Sequence, residues 1–574
     1  MGGTQDEEHQ EGEHMPQAPR EVTRLIPSVV ALALLGTLAG MPACHHTQST
    51  HADPPPIFYE GFGNYTRTMT TASEEAQRWF NQGMQLTYGF NHDEAVRSFE
   101  QAALADPEAA MPWWGIAYCQ GININDPAMT DARSQRGREA IDEAIARLDN
   151  ESPVEHAMVM ALSERYEWPA PEDRLPLDEA YADAMEQVHH RFQSDPDVAA
   201  LYAESLMNLQ AWDYWAANGA PKGRITEIVS TIESVIDTHP QHPGANHFYI
   251  HAVEASNNPD RAIPAAERLT SIVPGSGHLV HMPSHIYIRV GRYADAAQIN
   301  RDAIAADQAY FAKAPAPGFY SIYYAHNIHF LAFAGMMSGD YATAIDAAEQ
   351  LEAQIPEESL RELAGLIDGI MPTNLHVMIR FGKWEQILEQ PDYPEWRLMS
   401  RATWSYARAI ANSALGRTDQ ARKEMAEFER RVQEVPDEWY VLNNRVHDVL
   451  PIARAMMQGE LLFREGRKQE AYAILREGIR HEEALVYDEP PAWMLPVRHA
   501  LGALLMSDGR YAEAEALYRE DLKTNRENGW ALTGLRNALN EQGRTDEASD
   551  INARLAIAFE ECDMNVTSSC FCEP

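Results

Sequence analysis

The segment AQRWFNQGMQLTYGFNHDEAVRSFEQAALADPEA, residues 76–109, decides the fold class. Its apolar residues recur at three- and four-residue spacing, the period of an amphipathic helix. Counted from Ala76, positions 4, 8, 20, 24, 27 and 32 of this 34-residue unit are Trp79, Gly83, Ala95, Phe99, Ala102 and Pro107. Small residues allow two helices to approach closely, and the late proline ends the second helix because it has no amide hydrogen to donate. The segment therefore predicts a pair of packed helices.

The same spacing recurs over most of residues 75–560. In a unit that starts at Pro243, Ala262 and Pro274 fall at positions 20 and 32. Further units start at Gly277, Ala325, Leu495 and Gly529. This pattern resembles the tetratricopeptide repeat (TPR), a helix pair of 34 residues whose neighbours stack into one continuous core. The resemblance implies an all-α fold, a right-handed α-solenoid of about ten to twelve TPR-like helix pairs with a concave groove.

Composition and motifs divide the chain into six predicted segments. Residues 1–44 resemble a signal peptide or lipoprotein-type signal, because Arg20 and Arg24 precede a short apolar stretch and Cys44 follows it. The other segments are a tether at 45–74, N-terminal TPR-like repeats with insertions at 75–240, central His-rich TPR-like repeats at 241–400, C-terminal TPR repeats at 401–560 and a Cys-containing tail at 561–574. We expect an exported protein, either periplasmic or a membrane-anchored lipoprotein; an uncleaved N-terminal anchor is the alternative.

Charge limits the classes of partner. The chain has 574 residues with 46 Lys and Arg against 86 Asp and Glu, which gives a formal net charge of −40. Nucleic acid requires a Lys- and Arg-rich surface, so it is not an expected partner. Acidic chains are repelled by anionic lipid, so membrane contact is expected only through an N-terminal lipid anchor. The expected partner is a protein or peptide in the concave groove, or a small ligand.

Seven histidines are predicted to share one face of three consecutive repeats. They are His247, His251, His278, His281, His285, His326 and His329. The resemblance to TPR proteins implies that positions 2, 5 and 9 of the first helix of each unit line the groove. Three units offer nine such positions and seven of them hold histidine, whereas a frequency of 22 histidines in 574 residues predicts fewer than one. The clustering therefore indicates a specific role.

Metal binding is the chemistry that this cluster favours. Imidazole is the commonest metal ligand, and histidines four residues apart share a helical face. His247 and His251 form such a pair with Glu254 one turn later, and His281 and His285 form a second pair. All-nitrogen ligation favours zinc, copper or iron. We predict the seven histidines as the ligand pool, with Glu254 as ligand or base. The alternative is that each histidine is a hydrogen-bonded polar residue without a metal.

Several further features of the central and C-terminal repeats bear on the groove. Candidate contacts with a groove ligand are His376, Tyr249, Tyr324, Arg289 and His499. The segments HLVHMPSHIYIRVGRY, YYAHNIHFLAF and YDEPPAWMLPVRHALG resemble large exported bacterial TPR proteins of unassigned activity. That resemblance supports the fold and implies no reaction. Pro283 predicts a helix start near Met282, with His278 and His281 on the loop before it.

Three functions remain open from the sequence. The first is an exported TPR-type solenoid that binds a protein or small ligand in its groove around a His-rich transition-metal site. The second is a metal-dependent enzyme in which an open coordination position activates water or oxygen. The third is a metal-free protein–protein interaction scaffold.

Overall fold

Consecutive helices that pack against their neighbours build the part of the chain that the computed structural model describes, residues 54–314 and 318–572. These residues belong to one unit that extends from His45 to Pro574. The predicted signal segment 1–44 lies outside the described residues. No helix among the described residues is long and apolar enough to cross a membrane. The predicted all-α solenoid is confirmed.

The N-terminal helices contain the repeat that predicts the fold. They are α1 (Glu74–Tyr88), α2 (His92–Ala105), α3 (Met111–Gln120), α4 (Asp131–Ile145), α5 (Pro153–Ser163), α6 (Leu175–Arg191), α7 (Pro196–Asn208) and α8 (Ile225–Thr238). The Ser73 side chain caps α1 by accepting a hydrogen bond from the amide of Ala76. Trp79 and Phe99 are buried between α1 and α2. A Cβ atom at Gly83 would lie 2.4 Å from the Phe99 ring, so only a residue without a side chain permits this helix contact.

The central helices carry the histidines. They are α9 (Pro243–Val253), α10 (Ile263–Ile272), α11 (Gly277–His281), α12 (Pro283–Val290), α13 (Tyr293–Phe311), α14 (Ser321–Ser338), α15 (Tyr341–Gln354), α16 (Glu357–Glu362), α17 (Ala364–Ile367), α18 (Thr373–Arg380) and α19 (Trp384–Glu389). The predicted helix start near Met282 is confirmed, because α12 begins at Pro283. The predicted loop is wrong: His278 and His281 lie in the short helix α11, which the Ser276 side chain caps.

The C-terminal helices are interrupted by one short hairpin. The elements are α20 (Leu398–Ala414), α21 (Thr418–Val432), β1 (Tyr440–Val441), β2 (Asn444–Arg445), α22 (Val446–Arg464), α23 (Lys468–Glu483), α24 (Val497–Ser507), α25 (Tyr511–Thr524), α26 (Gly529–Glu541) and α27 (Thr545–Ala558). The strands pair antiparallel, with Tyr440 opposite Arg445. In the tail, Cys570 and Cys572 form a disulfide and Cys562 is a free thiol.

The C-terminal repeats pack back against the central helices. Trp530 of α26 is fully buried, and its Nε1 donates a hydrogen bond of 2.8 Å to the carbonyl of Met336 in α14. Arg526, just before α26, forms an ion pair of 2.6 Å with Asp260. These contacts join residues about two hundred positions or more apart, so the C-terminal repeats lie against the central helices.

Candidate metal centre

Six of the seven predicted histidines form two groups of three in the centre of the fold. Triad 1 consists of His247, His251 and His278, and triad 2 consists of His281, His285 and His326. Glu254, which the sequence predicts as a ligand or base, forms a third potential ligand group with His251 and His285. Within each triad, one ligand atom from each residue lies within 4.8 Å of those of the other two. Helices α9, α11, α12 and α14 supply these side chains. Imidazoles from different repeats thus lie close together in the centre of the fold.

The triads are buried rather than exposed in a groove. His247 and His281 are 0% exposed, and of the six histidines only His326 is partly accessible. Phe90, in the turn between α1 and α2, packs its ring 4.6 Å from that of His247. Glu489, between α23 and α24, approaches His285 from the C-terminal repeats. Contacts from both ends of the solenoid therefore cover the histidines, and the expectation of an accessible groove at these positions is wrong.

Hydrogen bonds orient two imidazoles of triad 1. His247 Nδ1 lies 2.7 Å from the carbonyl oxygen of Tyr88, and His251 Nδ1 lies 2.8 Å from Glu254 Oε1. A carbonyl or carboxylate oxygen only accepts, so each Nδ1 is the donor and each Nε2 keeps a lone pair. His278 Nε2 lies 3.2 Å from His247 Nε2. Carbonyl and carboxylate acceptors of this kind hold the rings of metal-binding histidines.

Two nitrogens of triad 1 have no hydrogen-bond partner. His251 Nε2 and His278 Nδ1 are buried, and neither bonds to any atom of residues 54–314 or 318–572. Without a metal, His278 Nε2 can donate to His247 Nε2, and His251 Nε2 stays unpaired at a cost in folding free energy. A metal bound to the three Nε2 atoms would remove this cost at His251, whereas His278 Nδ1 is without a partner in both cases. Two nitrogens bound to one tetrahedral ion at about 2.0–2.1 Å are roughly 3.3–3.4 Å apart, close to the His247–His278 distance. Triad 1 therefore fits a metal ion well.

Triad 2 has a similar arrangement of acceptors. His281 Nδ1 lies 2.7 Å from Asn300 Oδ1, and the amide nitrogen of Asn300 bonds to a backbone carbonyl, which identifies Oδ1 as the acceptor. His285 Nδ1 lies 2.6 Å from Glu254 Oε2. His281 Nε2 and His285 Nε2 are 2.8 Å apart, and the His326 ring lies 4.8 Å from that of His281. The Nε2 atoms of His281 and His285 therefore face each other, as those of His247 and His278 do in triad 1.

Charge differs between the two triads. Burial alone would raise the pKa of Glu254, but His285 and His251 hold it well below its usual range. Burial alone would lower the pKa of His285, but Glu254 and Glu489 raise it above its usual range. A protonated His285 can therefore donate from Nε2 to His281 when no metal is bound. Burial lowers the pKa of the other five triad histidines, which keeps them in the neutral form that binds metal.

Two aromatic residues with unusual backbone angles contact triad 1. Phe90 has a φ of 55° and Trp212 a φ of 64°, values that non-glycine residues rarely adopt. The Trp212 ring lies 5.2 Å from that of His251, and the Phe90 ring stacks on that of His278 at 5.7 Å. Residues in such conformations cluster at functional sites. The sequence carries no signal for either angle.

Glu489 is an acidic residue beside triad 2 that no local sequence pattern predicts. It is buried, its Oε2 lies 3.4 Å from His285 Nδ1 and its Oε1 lies 3.9 Å from Arg289 Nε. Arg289 Nε also donates to the backbone carbonyl of Glu254 at 3.1 Å, which places this predicted residue beside the cluster. Burial raises the pKa of Glu489 above its usual range. Its only sequence signal is its place in YDEPPAWMLPVRHALG, a segment that the resemblance singles out.

His329 and His376 lie apart from the triads. Neither belongs to a potential ligand group within the described residues. Burial lowers the pKa of His329 to about 3, with His376 as a further cause. His376 lies edge-on to the Trp493 ring at 5.2 Å, and burial lowers its pKa to about 4. Both are neutral imidazoles within the helix packing.

The other candidates have partners away from the cluster. His499 pairs through Nε2 with Asp521 at 2.9 Å. Tyr249 donates its hydroxyl to Glu233 at 2.5 Å, and the Tyr324 hydroxyl accepts from two glutamine side chains at 3.1 and 3.3 Å. The sequence spacing put these residues near the groove, but the structure directs their side chains to other neighbours.

Comparison with known proteins supports the repeat. Residues 505–562 match the family model of the tetratricopeptide repeat. This segment is a tetratricopeptide repeat. No curated protein matches the chain. Solved structures similar to it include the human IFIT1 dimer with m7Gppp-AAAA, at 12% identity over 83% of this chain and 95% of that chain with a TM-score of 0.35. The human IFIT1 dimer with PPP-AAAA is 12% identical over 84% and 89%, with a TM-score of 0.29. TM-scores below 0.5 carry no argument about the function of this chain.

Proposed function

We propose that this protein is an exported TPR solenoid that holds a transition metal at its buried histidine triads and presents the surrounding helices to a protein or small ligand. The observation that carries the proposal is the unpaired state of His251 Nε2. This nitrogen is buried and without a partner, while its Nδ1 is held by Glu254. It belongs to a triad with His247 and His278, whose Nε2 atoms face each other at 3.2 Å. A metal ion would pair all three nitrogens.

The donor set supports a restricted choice of metal. Imidazole nitrogens suit zinc, copper and iron, and affinity alone follows an order that favours copper. Calcium and magnesium require oxygen ligands, which the triads lack. Because the pKa of most of these histidines is lowered by burial, they bind without first losing a proton. The proposal is thus specific for transition metals.

Export and partner choice are further parts of the proposal. Export to the periplasm, as a soluble protein or a membrane-anchored lipoprotein, is supported by the signal-like residues 1–44. A protein or peptide partner is supported by the TPR solenoid, whose curved surfaces commonly bind other chains. With the histidines buried, such a partner would contact the solenoid elsewhere on its surface. The exclusion of nucleic acid remains a prediction from the net charge of −40.

A metal-dependent enzyme is the second candidate. Each triad offers three imidazoles, and three protein ligands leave a fourth tetrahedral position open for water or substrate. The buried Glu489 carboxylate, which lacks a hydrogen-bond partner in the described chain, lies beside triad 2 and could take up a proton. A bound metal without turnover on a broad panel of substrates would favour the first candidate.

The test is the metal content of the full chain produced without a polyhistidine tag. Mass spectrometry with inductively coupled plasma should find at least one equivalent of a single transition metal after dialysis. The triple variant His247→Ala/His251→Ala/His278→Ala should bind at least one equivalent less than the wild type, whereas His376→Ala, which changes a buried histidine outside the triads, should bind as much as the wild type. No metal in the wild-type protein, either as purified or after incubation with zinc, copper and iron, would overturn the proposal.

A further inference from the structure

One buried carboxylate contacts a histidine of each triad. Glu254, at the C-terminal end of α9, is 0% exposed. Its Oε1 accepts from His251 Nδ1 at 2.8 Å, and its Oε2 accepts from His285 Nδ1 at 2.6 Å. Both oxygens are therefore occupied by ring N–H donors, so Nε2 is the nitrogen of each imidazole that can bind a metal; at His285 the metal takes the place of the Nε2 proton.

We propose that the protein binds two transition-metal ions, one in each triad, and that Glu254 is the shared positioning residue of both sites. This inference rests on the proposed function and extends it from a metal site to a paired centre. Glu254 is not itself a ligand in this account. It acts through His251 and His285, whose ring orientation and tautomer it determines.

The grouping of the ligand atoms supports two ions rather than one. Six imidazoles exceed the four ligands of a tetrahedral ion, and two all-histidine sets of three account for them. A third potential ligand group, His251, Glu254 and His285, shares one histidine with each set and places Glu254 between them. The sets are adjacent: the ring of His251 lies 5.5 Å from that of His285, and the ring of His278 lies 6.2 Å from that of His281. Two three-nitrogen sites therefore share one buried region of the solenoid.

Buried charge supports a role for the nearby acids. Neutral imidazoles bring no charge, so cations held only by them in a buried region require anions close by. Glu254 contacts both triads, and Glu489 lies 3.4 Å from His285 Nδ1. These two carboxylates are placed to balance part of the positive charge of two cations in neighbouring sites. Glu254 is the one that serves both, since Glu489 approaches only triad 2.

Binding stoichiometry tests the inference. Metal-free full-length protein is equilibrated by dialysis with zinc(II), and separately with copper(II), and the bound metal is counted. Two equivalents are expected. His247→Ala/His278→Ala should lose the ion of triad 1 and keep that of triad 2, and His281→Ala/His326→Ala should lose the ion of triad 2 and keep that of triad 1. Glu254→Gln should weaken both sites by about 10- to 100-fold, the usual effect of removing an acceptor from a metal-binding histidine.

A matched control distinguishes the positioning role of Glu254 from a general loss of stability when a buried glutamate is replaced. Glu460 on α22 is also a buried glutamate, paired with Arg464 at 2.8 Å, and it contacts no triad residue. Glu460→Gln should bind both ions with wild-type affinity. If an alanine variant fails to fold, as judged by circular dichroism, anomalous X-ray scattering from metal-loaded wild-type crystals takes its place and should show two ions in the cluster.

The outcomes distinguish this inference from the proposed function. Binding of a single equivalent, lost in both double variants, would retain the metal site and overturn the paired centre. Loss of affinity at only one site in Glu254→Gln would overturn the shared role of Glu254. Absence of any bound metal in the wild-type protein would overturn both the inference and the proposed function.

Discussion

His278 Nε2 lies 3.2 Å from His247 Nε2, although the two residues are 31 positions apart and belong to different helices. The Nδ1 of His247 donates to a backbone carbonyl, so its Nε2 is a lone-pair acceptor. Such an acceptor approaches a second ring nitrogen only when a proton or a cation lies between them. The rest of triad 1 favours the cation, because a proton leaves His251 Nε2 unpaired.

Metal binding should stabilise the folded protein. A ligand that binds only the native state at about one hundred times its dissociation constant adds roughly 2.7 kcal/mol to the free energy of unfolding. Urea unfolding of the wild-type protein with zinc(II) and with a chelator should differ by about this amount. His247→Ala/His251→Ala/His278→Ala should show a smaller difference, and His376→Ala the full one. Equal stability with metal and with chelator would contradict the prediction.

Trp530 should be a main contact between the C-terminal and central repeats. Its buried indole lies near the rings of Phe381, Phe559 and Phe571 and bonds to the Met336 carbonyl. Trp530→Ala should lower the free energy of unfolding by about 3–5 kcal/mol through the cavity that it leaves. Trp530→Phe should keep most of the packing and lose about 1 kcal/mol with the hydrogen bond. Equal losses in the two variants, measured by thermal unfolding, would contradict this account.

Asp197 should stabilise the N-terminal repeats in a pH-dependent way. Its carboxylate is buried, pairs with Arg67 at 2.8 Å and accepts from Tyr88 at 2.5 Å. Burial alone would raise the pKa of Asp197, but Arg67 and His242 hold it well below its usual range. Since the folded pKa lies below the unfolded value of about 3.9, the stabilisation is complete above about pH 5. It is lost as the pH falls toward the folded pKa.

The comparison of wild type with Asp197→Asn measures this effect. At pH 7 the variant should lose about 3 kcal/mol, because it leaves a buried guanidinium with a weaker partner. The difference in urea unfolding should shrink as the pH falls from 5 to 3. Asp195→Asn, which removes the more exposed partner of Arg67, should lose less. A difference that does not change with pH would show that Asp197 is not ionised in the folded protein.

Gly83 should be required for the first helix pair. Its Cβ position lies 2.4 Å from the Phe99 ring, so Gly83→Ala must displace that ring. Overpacking of this kind costs about 1–3 kcal/mol, which the better helix propensity of alanine offsets by only about 1 kcal/mol. Combining Gly83→Ala with Phe99→Leu should recover part of the loss in thermal unfolding. A single variant as stable as the wild type would contradict the close contact.

The sequence could predict the fold because the repeat is local. Spacing within one 34-residue unit predicts that Trp79, Gly83 and Phe99 pack between paired helices. Helical spacing likewise predicts that His247 and His251 share one helical face. The division of six histidines into two triads follows from the path of the solenoid and the break at Pro283, which spacing does not specify. The contacts of Glu489 depend on packing between distant repeats, so no local pattern predicts them.

Two tyrosines that the sequence predicts as groove contacts point away from the triads for a reason of helix geometry. Tyr249 is two positions from both histidines of α9, and a helix turns by more than half a circle over two residues, so its hydroxyl points to Glu233 instead. Tyr324 is likewise two positions from His326 and bonds to glutamine side chains. Closeness in sequence to a triad histidine therefore does not place these two tyrosines on the same helical face as that histidine.

Anomalous X-ray scattering at the absorption edge of the bound metal tests the central claim most directly. Crystals of the full chain, produced without a tag and soaked with zinc(II), should show an anomalous peak about 2.0–2.1 Å from Nε2 of His247 and of His278. The peak should also lie within ligand distance of His251. Crystals that show no anomalous peak at the triads, with the nitrogens of His247 and His278 in direct hydrogen-bond contact, would contradict the account.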